Sequence, residues 1–182
     1  MIRYCSYCGS NRISILIPEG DSNNRIVCKN CGKIHYINPR LIVGCLPVHD
    51  EKVLICKRAI EPCKGKWNLP AGFMELNESA EAGAVRETKE EANAEVDIVR
   101  LHCVYSIPQV NQVYLIFLAQ LKNLDFSPGI ESLEVQLFGK LDMPWDEIGF
   151  TSSVFAIKNY FDNLKNPTPE TFIGDHVFDH RF

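Results

Sequence analysis

The hydrophobic residues of the chain fall into short runs that are separated by turn-forming stretches. Some runs are continuous, and in others hydrophobic and polar residues alternate. Runs of this length and pattern are typical of β-strands. A loop containing proline and glycine, over residues 59–71, interrupts the series. The predicted strands cover residues 41–48, 52–57, 96–104, 113–121 and 134–141, the first two forming a hairpin.

Two other stretches have the apolar spacing of α-helices. The first begins at Ser79, whose hydroxyl can cap a helix N-terminus, and runs to about Ala92. Asn93 follows, and asparagine is second only to glycine in adopting the left-handed conformation that ends many helices. The second helix is predicted over residues 151–164, with its apolar side chains on one face.

The composition divides the chain into three parts. Residues 1–38 hold two cysteine pairs and few large apolar runs, so this part needs a cross-link or a bound metal ion to fold. Residues 39–165 contain the predicted strands and helices and form the main domain. Residues 166–182 carry two prolines and no clear period, which predicts a loosely ordered tail.

Charge and hydropathy narrow the partners that we expect. The chain of 182 residues has a net charge of -4 at pH 7, 46% hydrophobic residues and 23% charged residues, a globular balance. The acidic charge disfavours non-specific nucleic-acid binding, although a local basic patch stays open. The sequence lacks both the ~18 consecutive apolar residues of a membrane span and the apolar core of a signal peptide. We therefore expect a cytoplasmic protein with no membrane partner.

Four of the eight cysteines form two CxxC pairs, each followed by glycine. Two such pairs can complete a four-sulfur tetrahedral site that suits zinc, and with no open coordination position the zinc would be structural. A redox pair and disulfides are the alternatives, although a reducing cytosol disfavours disulfides. The proposed zinc ligands are Cys5, Cys8, Cys28 and Cys31. Cysteines expected to be buried in apolar runs are Cys45, Cys56 and Cys103.

Three glutamates lie on one side of the first predicted helix. At 3.6 residues per turn, Glu87 and Glu91 project within about 40° of each other, and Glu90 lies about 60° from Glu87. These like charges repel, and a divalent cation would remove that cost, with oxygen ligands favouring magnesium or manganese. Arg86 can brace the cluster by pairing with a carboxylate. A solvated acidic surface is the alternative when three glutamates are taken alone.

The surrounding residues favour the metal site. The pattern G-x5-E-x7-R-E-U-x-E-E-x-G-U, with U a bulky aliphatic residue, is matched at its charged positions and first glycine by Gly72, Glu78, Arg86, Glu87, Glu90 and Glu91. This segment resembles the signature box of Nudix hydrolases, and the cysteine pairs in front resemble the zinc-ribbon branch of that superfamily. Asn93 replaces the second glycine, while Thr88 and Ala94 stand at positions of larger aliphatic residues. These departures predict altered packing and unchanged chemistry.

The resemblance implies an α/β fold, namely an α/β/α sandwich with a mixed sheet behind a small zinc ribbon, and commonly a homodimer. It implies catalytic Mg²⁺ or Mn²⁺ ions bound by Glu87, Glu90, Glu91 and Glu131. It also implies a glutamate outside the box as a further ligand or base, for which Glu131 is the better positional match and Glu134 the second. The implied catalytic residues are thus Glu90, Glu91, Glu131 and Glu134.

The same resemblance indicates the reaction, which is hydrolysis of a pyrophosphate bond in a nucleoside diphosphate-linked substrate. Residues 106–113 keep only the serine and first proline of the motif of NADH pyrophosphatases, whereas the segments after Pro128 and Pro144 look more like the FAD/ADP-ribose group. FAD or ADP-ribose, cleaved to release AMP, is therefore favoured. NADH or NAD-capped RNA is the alternative substrate, and a non-catalytic nucleotide- or nucleic-acid-binding module is the alternative function.

Further residues near the box are candidates for substrate contacts. Those for the outer phosphates are Arg58, which is preferred, Lys57, Lys64 and Lys66. Gly72 and Arg86 complete the predicted substrate-binding set. The candidates for stacking on a flat ring are Trp67, Phe73 and Tyr105, for each of which core packing is the more common role. None of the five histidines has the spacing of a metal site.

Overall fold

A computed structural model describes residues 2–165 and 168–176. The chain forms two compact units that divide between Asn38 and Pro39. The N-terminal unit is a three-stranded antiparallel sheet in the order β1-β2-β3. Its strands are β1 (Ile13–Leu16), β2 (Arg25–Cys28) and β3 (Ile34–His35).

The two CxxC turns bring four sulfur atoms together in this unit. After each second cysteine, a glycine N–H donates a hydrogen bond to the first cysteine's carbonyl oxygen: Gly9 to Cys5 at 2.9 Å and Gly32 to Cys28 at 2.8 Å. Both glycines have positive φ, 71° and 75°, which a larger residue adopts only with strain. All four Sγ atoms lie within 4.8 Å of one another.

The second unit is built on a mixed sheet with a helix on each face. The strand order is β10-β5-β4-β9-β8-β11, with β6 paired to β5 and β7 to β4. The strands are β4 (Arg40–His49), β5 (Lys52–Arg58), β6 (Trp67–Asn68), β7 (Ala71–Phe73), β8 (Val96–Ile107), β9 (Gln112–Leu121), β10 (Ser132–Phe138) and β11 (Phe172–Asp175). The helices are α1 (Ala80–Ala92) and α2 (Thr151–Asn163).

The core lies in two layers, one on each face of this sheet. Cys45 of β4 packs with Ala84 of α1, whereas the next residue, Leu46, packs with Ile157 of α2. Successive strand residues point to opposite faces, so a continuous apolar run such as β4 serves both layers. This arrangement is the α/β/α sandwich that the resemblance implied, and it places α1 against the middle of the sheet.

The predicted strands and helices are present with some changes: the strand predicted over residues 134–141 is β10, Ser132–Phe138, and the loop predicted over residues 59–71 contains β6. Strand β4 pairs in parallel with β9 along most of its length and pairs with its hairpin partner β5 only near the turn. The prediction of a loosely ordered tail is wrong for residues 172–175, which form β11 parallel to β8. A strand of only four residues has too little local pattern to be recognised from the sequence when its partner strand lies about 70 residues earlier. Residues 166–167 and 177–182 of the predicted tail lie outside the described residues.

Two further expectations can be compared with the structure. Three cysteines outside the CxxC pairs have fully buried side chains, as predicted: Cys45, Cys56 and Cys103. Across residues 2–165 and 168–176, no helix has the length and apolar character needed to cross a membrane.

Candidate active site

Helix α1 is fixed at its start by the cap that the sequence predicts. The Ser79 hydroxyl accepts a hydrogen bond from the Ala82 N–H at 3.1 Å. At the other end, Asn93 adopts the left-handed conformation with φ of 50°, and its N–H donates to the Lys89 carbonyl oxygen at 2.9 Å. Both ends of the helix therefore satisfy backbone groups locally, which fixes the positions of the glutamates between them.

The C-terminal end of α1 also binds the loop that carries Glu131. The Gly129 N–H donates to the Glu91 carbonyl oxygen at 2.9 Å, and the Asn93 side-chain amide donates to the carbonyl oxygens of Ser127 and Pro128 at 3.2 Å. A Cβ at Gly129 would overlap the Glu90 carbonyl group, so only glycine permits this approach. The loop thereby brings Glu131 to the glutamates of the helix.

Arg86 is the centre of a carboxylate network. Its guanidinium donates to both carboxylate oxygens of Glu78, at 2.9 and 3.1 Å, and to Glu87 at 2.7 Å and Glu90 at 2.9 Å. A further bond reaches the Phe73 carbonyl oxygen at 3.2 Å. These partners, Glu78 foremost, raise the pKa of Arg86 above its ordinary value. Arg86 thus borders the site, but its donors are engaged by the protein itself.

Gly72 leaves space for one of these carboxylates. A Cβ on Gly72 would overlap the side-chain carboxylate of Glu87. Gly72 lies on β7 opposite Val43 of β4, so the bare backbone of this short strand forms the surface against which Glu87 packs. A side chain at Gly72 would therefore displace the Glu87 carboxylate from this position, and the constraint is one of space because the φ of Gly72 lies outside the left-handed region.

Negative charge is concentrated and partly desolvated at Glu87 and Glu91. The Glu91 residue is only 5% exposed. Burial raises the pKa of its carboxyl to about 8, and the charge of Glu87 adds to the rise, whereas Arg58 and the Ala71 N–H oppose it. Burial also raises the pKa of Glu87, against the opposing effect of Arg86. Holding both groups ionised requires positive charge that the surrounding side chains only partly provide.

These side chains border a cavity of about 670 Å³, a size typical of small-molecule sites. It contains four of the predicted catalytic and metal-binding glutamates: Glu87, Glu90, Glu91 and Glu131. Three residues of the predicted substrate set also line it: Arg58, Gly72 and Arg86. The structure thus brings together the carboxylates of one helix, a glutamate from a distant loop and two arginines.

Arg58 is positioned at the cavity by the end of β5. Its Nε donates to the Pro62 carbonyl oxygen at 2.7 Å, and its guanidinium lies 5.2 Å from the ring centroid of Phe150. These contacts use one donor and one face of the group, and the remaining N–H groups can meet an anion. Of the basic residues predicted for the outer phosphates, Arg58 is the one that borders the cavity among the described residues.

The structure does not bring Lys57 and Glu134 to the cavity walls. Lys57 precedes Arg58 on β5 and, by strand alternation, points to the other face, where its Nζ lies 3.8 Å from Glu134 and 5.4 Å from the Trp67 ring centroid. A register shift in β10 sets Glu134 opposite Lys57 and Ser132 opposite Arg58. Of the two glutamates outside the box, the structure therefore brings only Glu131 to the carboxylate group.

The other candidates divide between core and surface. Trp67 and Tyr105 are 4% and 5% exposed and pack against Phe138 and Phe155, the core role. Phe73 lines the cavity and is 49% exposed. The remaining two lysines are surface residues: Lys64, which is exposed, and Lys66, which bonds to the Asp146 carbonyl oxygen.

Six polar or aromatic residues of the cavity wall were not singled out from the sequence: Glu61, Asn68, Glu75, Gln112, Tyr114 and Phe150. Gln112 and Tyr114 alternate along β9, so they share one face of the sheet. That alternation was visible in the sequence, but only the parallel pairing of β9 with β4 shows that this face borders the carboxylates.

Family models match both units of the chain. A NUDIX domain model covers residues 38–143, which is more than half of the chain, and a second model, described as Nudix N-terminal, covers residues 3–37. The chain belongs to the Nudix hydrolase family. Its N-terminal unit is the zinc-ribbon-like region that accompanies some Nudix domains.

Several named proteins resemble this Nudix hydrolase over part of their length. An ADP-ribose pyrophosphatase of Methanocaldococcus jannaschii is 30% identical over 113 residues, which are 60% of this chain and 67% of that protein. An NAD-capped RNA hydrolase, NudC, of Photobacterium profundum is 24% identical over 75% of this chain and 49% of its own length. The chain thus spans two thirds of the first relative and about half of the second.

A solved structure supports the fold over almost the whole chain. The crystal structure of a NUDIX hydrolase from Nitrosomonas europaea has 50% sequence identity and a TM-score of 0.91, with 96% of this chain and 99% of that chain covered. The Nudix domain of Shewanella oneidensis NrtR, crystallised with ADP-ribose, shares the fold at 22% identity and a TM-score of 0.59.

Proposed function

We propose that this Nudix hydrolase cleaves the pyrophosphate bond of a nucleoside diphosphate-linked substrate, FAD or ADP-ribose, and releases AMP. The observation that carries the proposal is the meeting of four glutamates, one of them almost fully buried, with Arg58 in a single cavity. Excess negative charge beside a guanidinium that has unused donors suits an anionic substrate that arrives with divalent cations. A solvated acidic surface would leave all of its carboxylates in bulk water, whereas Glu91 is buried and Glu87 is half-buried.

The catalytic carboxylates fit Mg²⁺ or Mn²⁺ by the chemistry of their donors. Hard oxygen ligands are preferred by these ions, which keep several waters and need only a few carboxylates. Glu87, Glu90, Glu91 and Glu131 would hold the ions. Bound divalent ions would neutralise the diphosphate and lower the pKa of a coordinated water. Because Glu87 and Glu90 bond to Arg86, part of the network must open when ions bind.

The protein's own groups divide the remaining work. Arg58 would bind the non-bridging oxygens of the diphosphate and orient it for in-line attack by water. Glu131, carried on a loop that is bonded to the end of α1, would orient the attacking water or accept its proton. Arg86 would keep the box glutamates in place through Glu78, so its contribution to substrate binding, predicted from the sequence, would be indirect.

ADP-ribose and FAD are favoured over NADH because residues 106–113 lack most of the NADH pyrophosphatase motif. The archaeal relative named ADP-ribose pyrophosphatase adds support. The relatives named NAD-capped RNA hydrolase support the alternative substrate. A non-catalytic binding module is disfavoured by the complete set of box charges.

The four-cysteine cluster fits a structural zinc ion. A tetrahedral site with Zn–S bonds of about 2.3 Å has sulfur–sulfur edges of roughly 3.8 Å. The Cys5–Cys31 and Cys8–Cys28 sulfur pairs are each 3.7 Å apart. Cys5, Cys8, Cys28 and Cys31 would fill all four positions, so this ion would take no part in the reaction. A homodimer and a cytoplasmic location stay predictions from the sequence.

The test compares two variants of the same helix. Glu91→Gln should keep the fold, judged by circular dichroism, and should reduce magnesium-dependent AMP release from ADP-ribose and FAD by a factor of about 100 or more. Glu81→Gln, at an exposed position of α1 outside the cavity, should behave as wild type. Wild-type turnover by Glu91→Gln would refute the metal assignment. Cleavage of NADH or NAD-capped RNA in preference to ADP-ribose and FAD would refute the proposed substrates and support the alternative ones.

A further inference from the structure

Gln112 and Tyr114 form a hydrogen-bonded pair on a wall of the cavity that the proposed reaction does not use. Both side chains line the cavity and are half-buried. The Tyr114 hydroxyl donates to Gln112 Oε1 at 3.1 Å. The pair belongs to β9, whereas the glutamates belong to α1 and to the loop before β10, so the two groups occupy different walls.

The bond to Tyr114 orients the Gln112 amide. With Oε1 turned to the hydroxyl, the two Nε2 hydrogens have no partner among residues 2–165 and 168–176. Oε1 keeps a second lone pair. The amide therefore offers one donor and one acceptor, side by side, to a molecule in the cavity.

The neighbouring wall carries one aliphatic and two aromatic side chains. Ile42 of β4 is paired on one side with Tyr114 of β9 and on the other with Phe73 of β7. Directly paired residues of adjacent strands share a face of the sheet, and all three side chains line the cavity. The Phe73 ring also has the Arg40 guanidinium 5.0 Å from its centroid. Such a surface suits a planar ring.

A planar ring with an adjacent donor and acceptor is what this wall complements. Adenine presents the N6 amino group as donor and N7 as acceptor, and glutamine pairs with that edge through two hydrogen bonds. Hypoxanthine carries an oxygen in place of the amino group and would face Oε1 with a second acceptor. We infer that Gln112, oriented by Tyr114, binds the base of the nucleotide and selects adenine. The inference rests on the proposed function, which places a nucleoside diphosphate in this cavity.

Binding of AMP and IMP, measured by calorimetry in the presence of magnesium, tests the inference without turnover. Wild type should bind AMP about tenfold more tightly than IMP, the discrimination typical of one two-bonded base contact. Gln112→Leu should lose that preference by weakening AMP binding while IMP binding stays constant. Tyr114→Phe, which keeps the ring and releases the amide, should reduce the preference. Gln120→Leu, at an exposed position of the same strand, is the matched control and should keep it.

Steady-state kinetics give a second readout. With ADP-ribose, Gln112→Leu should raise KM with little change in kcat, because the base lies away from the reacting phosphorus. Equal weakening of AMP and IMP by Gln112→Leu, or the absence of AMP binding or of a preference in wild type, would overturn the inference. Wild type that prefers AMP but does not cleave ADP-ribose or FAD would instead contradict the proposed function and leave the base contact standing.

Discussion

The buried histidine of β8 should make the stability of this protein depend on pH in a defined interval. His102 is fully buried, and its Nε2–H donates to the Ala156 carbonyl oxygen of α2 at 2.9 Å. Its Nδ1 has no hydrogen-bond partner among the described residues. Burial lowers its pKa from 6.5 to about 4, with Arg100 adding to the decrease and the Ala156 bond opposing it.

The sign of the effect follows from where the proton binds. Below pH 6.5 the unfolded chain takes up a proton at His102, whereas the folded chain resists protonation until about pH 4. Stability is therefore lost as pH falls through this interval and is unaffected by this group above it. The difference between the two pKa values corresponds to roughly 3 kcal/mol in total, and to about 2 kcal/mol by pH 5.

Urea denaturation of wild type and His102→Gln at pH 7.5 and pH 5 measures this quantity. Other groups titrate in the same range, so the informative value is the change, between the two pH values, in the stability difference between the proteins. We expect wild type to lose about 2 kcal/mol relative to the variant. His49→Gln, at the partly exposed end of β4, controls for the loss of a histidine as such. Parallel pH curves for wild type and His102→Gln would refute the reasoning.

Two further predictions concern the glycine of the box and the cysteine cluster. Gly72→Ala should displace the Glu87 carboxylate and reduce kcat by as much as about 100-fold. The free energy of unfolding, measured by urea denaturation, should change by less than about 1 kcal/mol. A kcat near that of wild type would show that activity does not depend on this position of Glu87. Removal of zinc by a chelator should release one ion per chain, measured by elemental analysis, and increase amide hydrogen exchange in the region of Cys5 and Cys28. Unchanged exchange after the metal has left would contradict a structural role.

Helix α1 could be predicted from the sequence because its signals are local. Ser79 and Asn93 mark its ends by their own side-chain chemistry, and the glutamate spacing follows from helical geometry alone. The predicted pairing of Arg86 with a neighbouring carboxylate is met by Glu87 and Glu90, one and four residues away, and the foremost partner, Glu78, lies only eight residues away. Features of this range need no knowledge of the rest of the fold.

Other features depend on pairings between distant segments. The orientation of Glu134 depends on an irregular register between β10 and β5 that turns it towards Lys57. The Gln112 and Tyr114 wall reaches the cavity only because β9 runs parallel to β4. The sequence of β11 has no strand pattern of its own, and it forms a strand because it pairs with β8. Local periodicity carries no information about such partners, so the sequence left the choice between Glu131 and Glu134 open and revealed neither the β9 wall nor β11.

The backbone hydrogen bond between Gly129 and the end of α1 makes the turn at Gly129 less tolerant of sequence change than the cavity wall on β9. Any insertion in that turn would remove the hydrogen bond that satisfies the Glu91 carbonyl oxygen at the end of the helix. The same insertion would displace Glu131, so one change would affect both the helix and the proposed catalytic residue. The proposed base contact on β9 has no such structural role, so exchanging its side chains should alter which nucleotide binds and preserve bond cleavage. Divergence of substrate range among relatives should therefore accumulate along that strand and spare the turn.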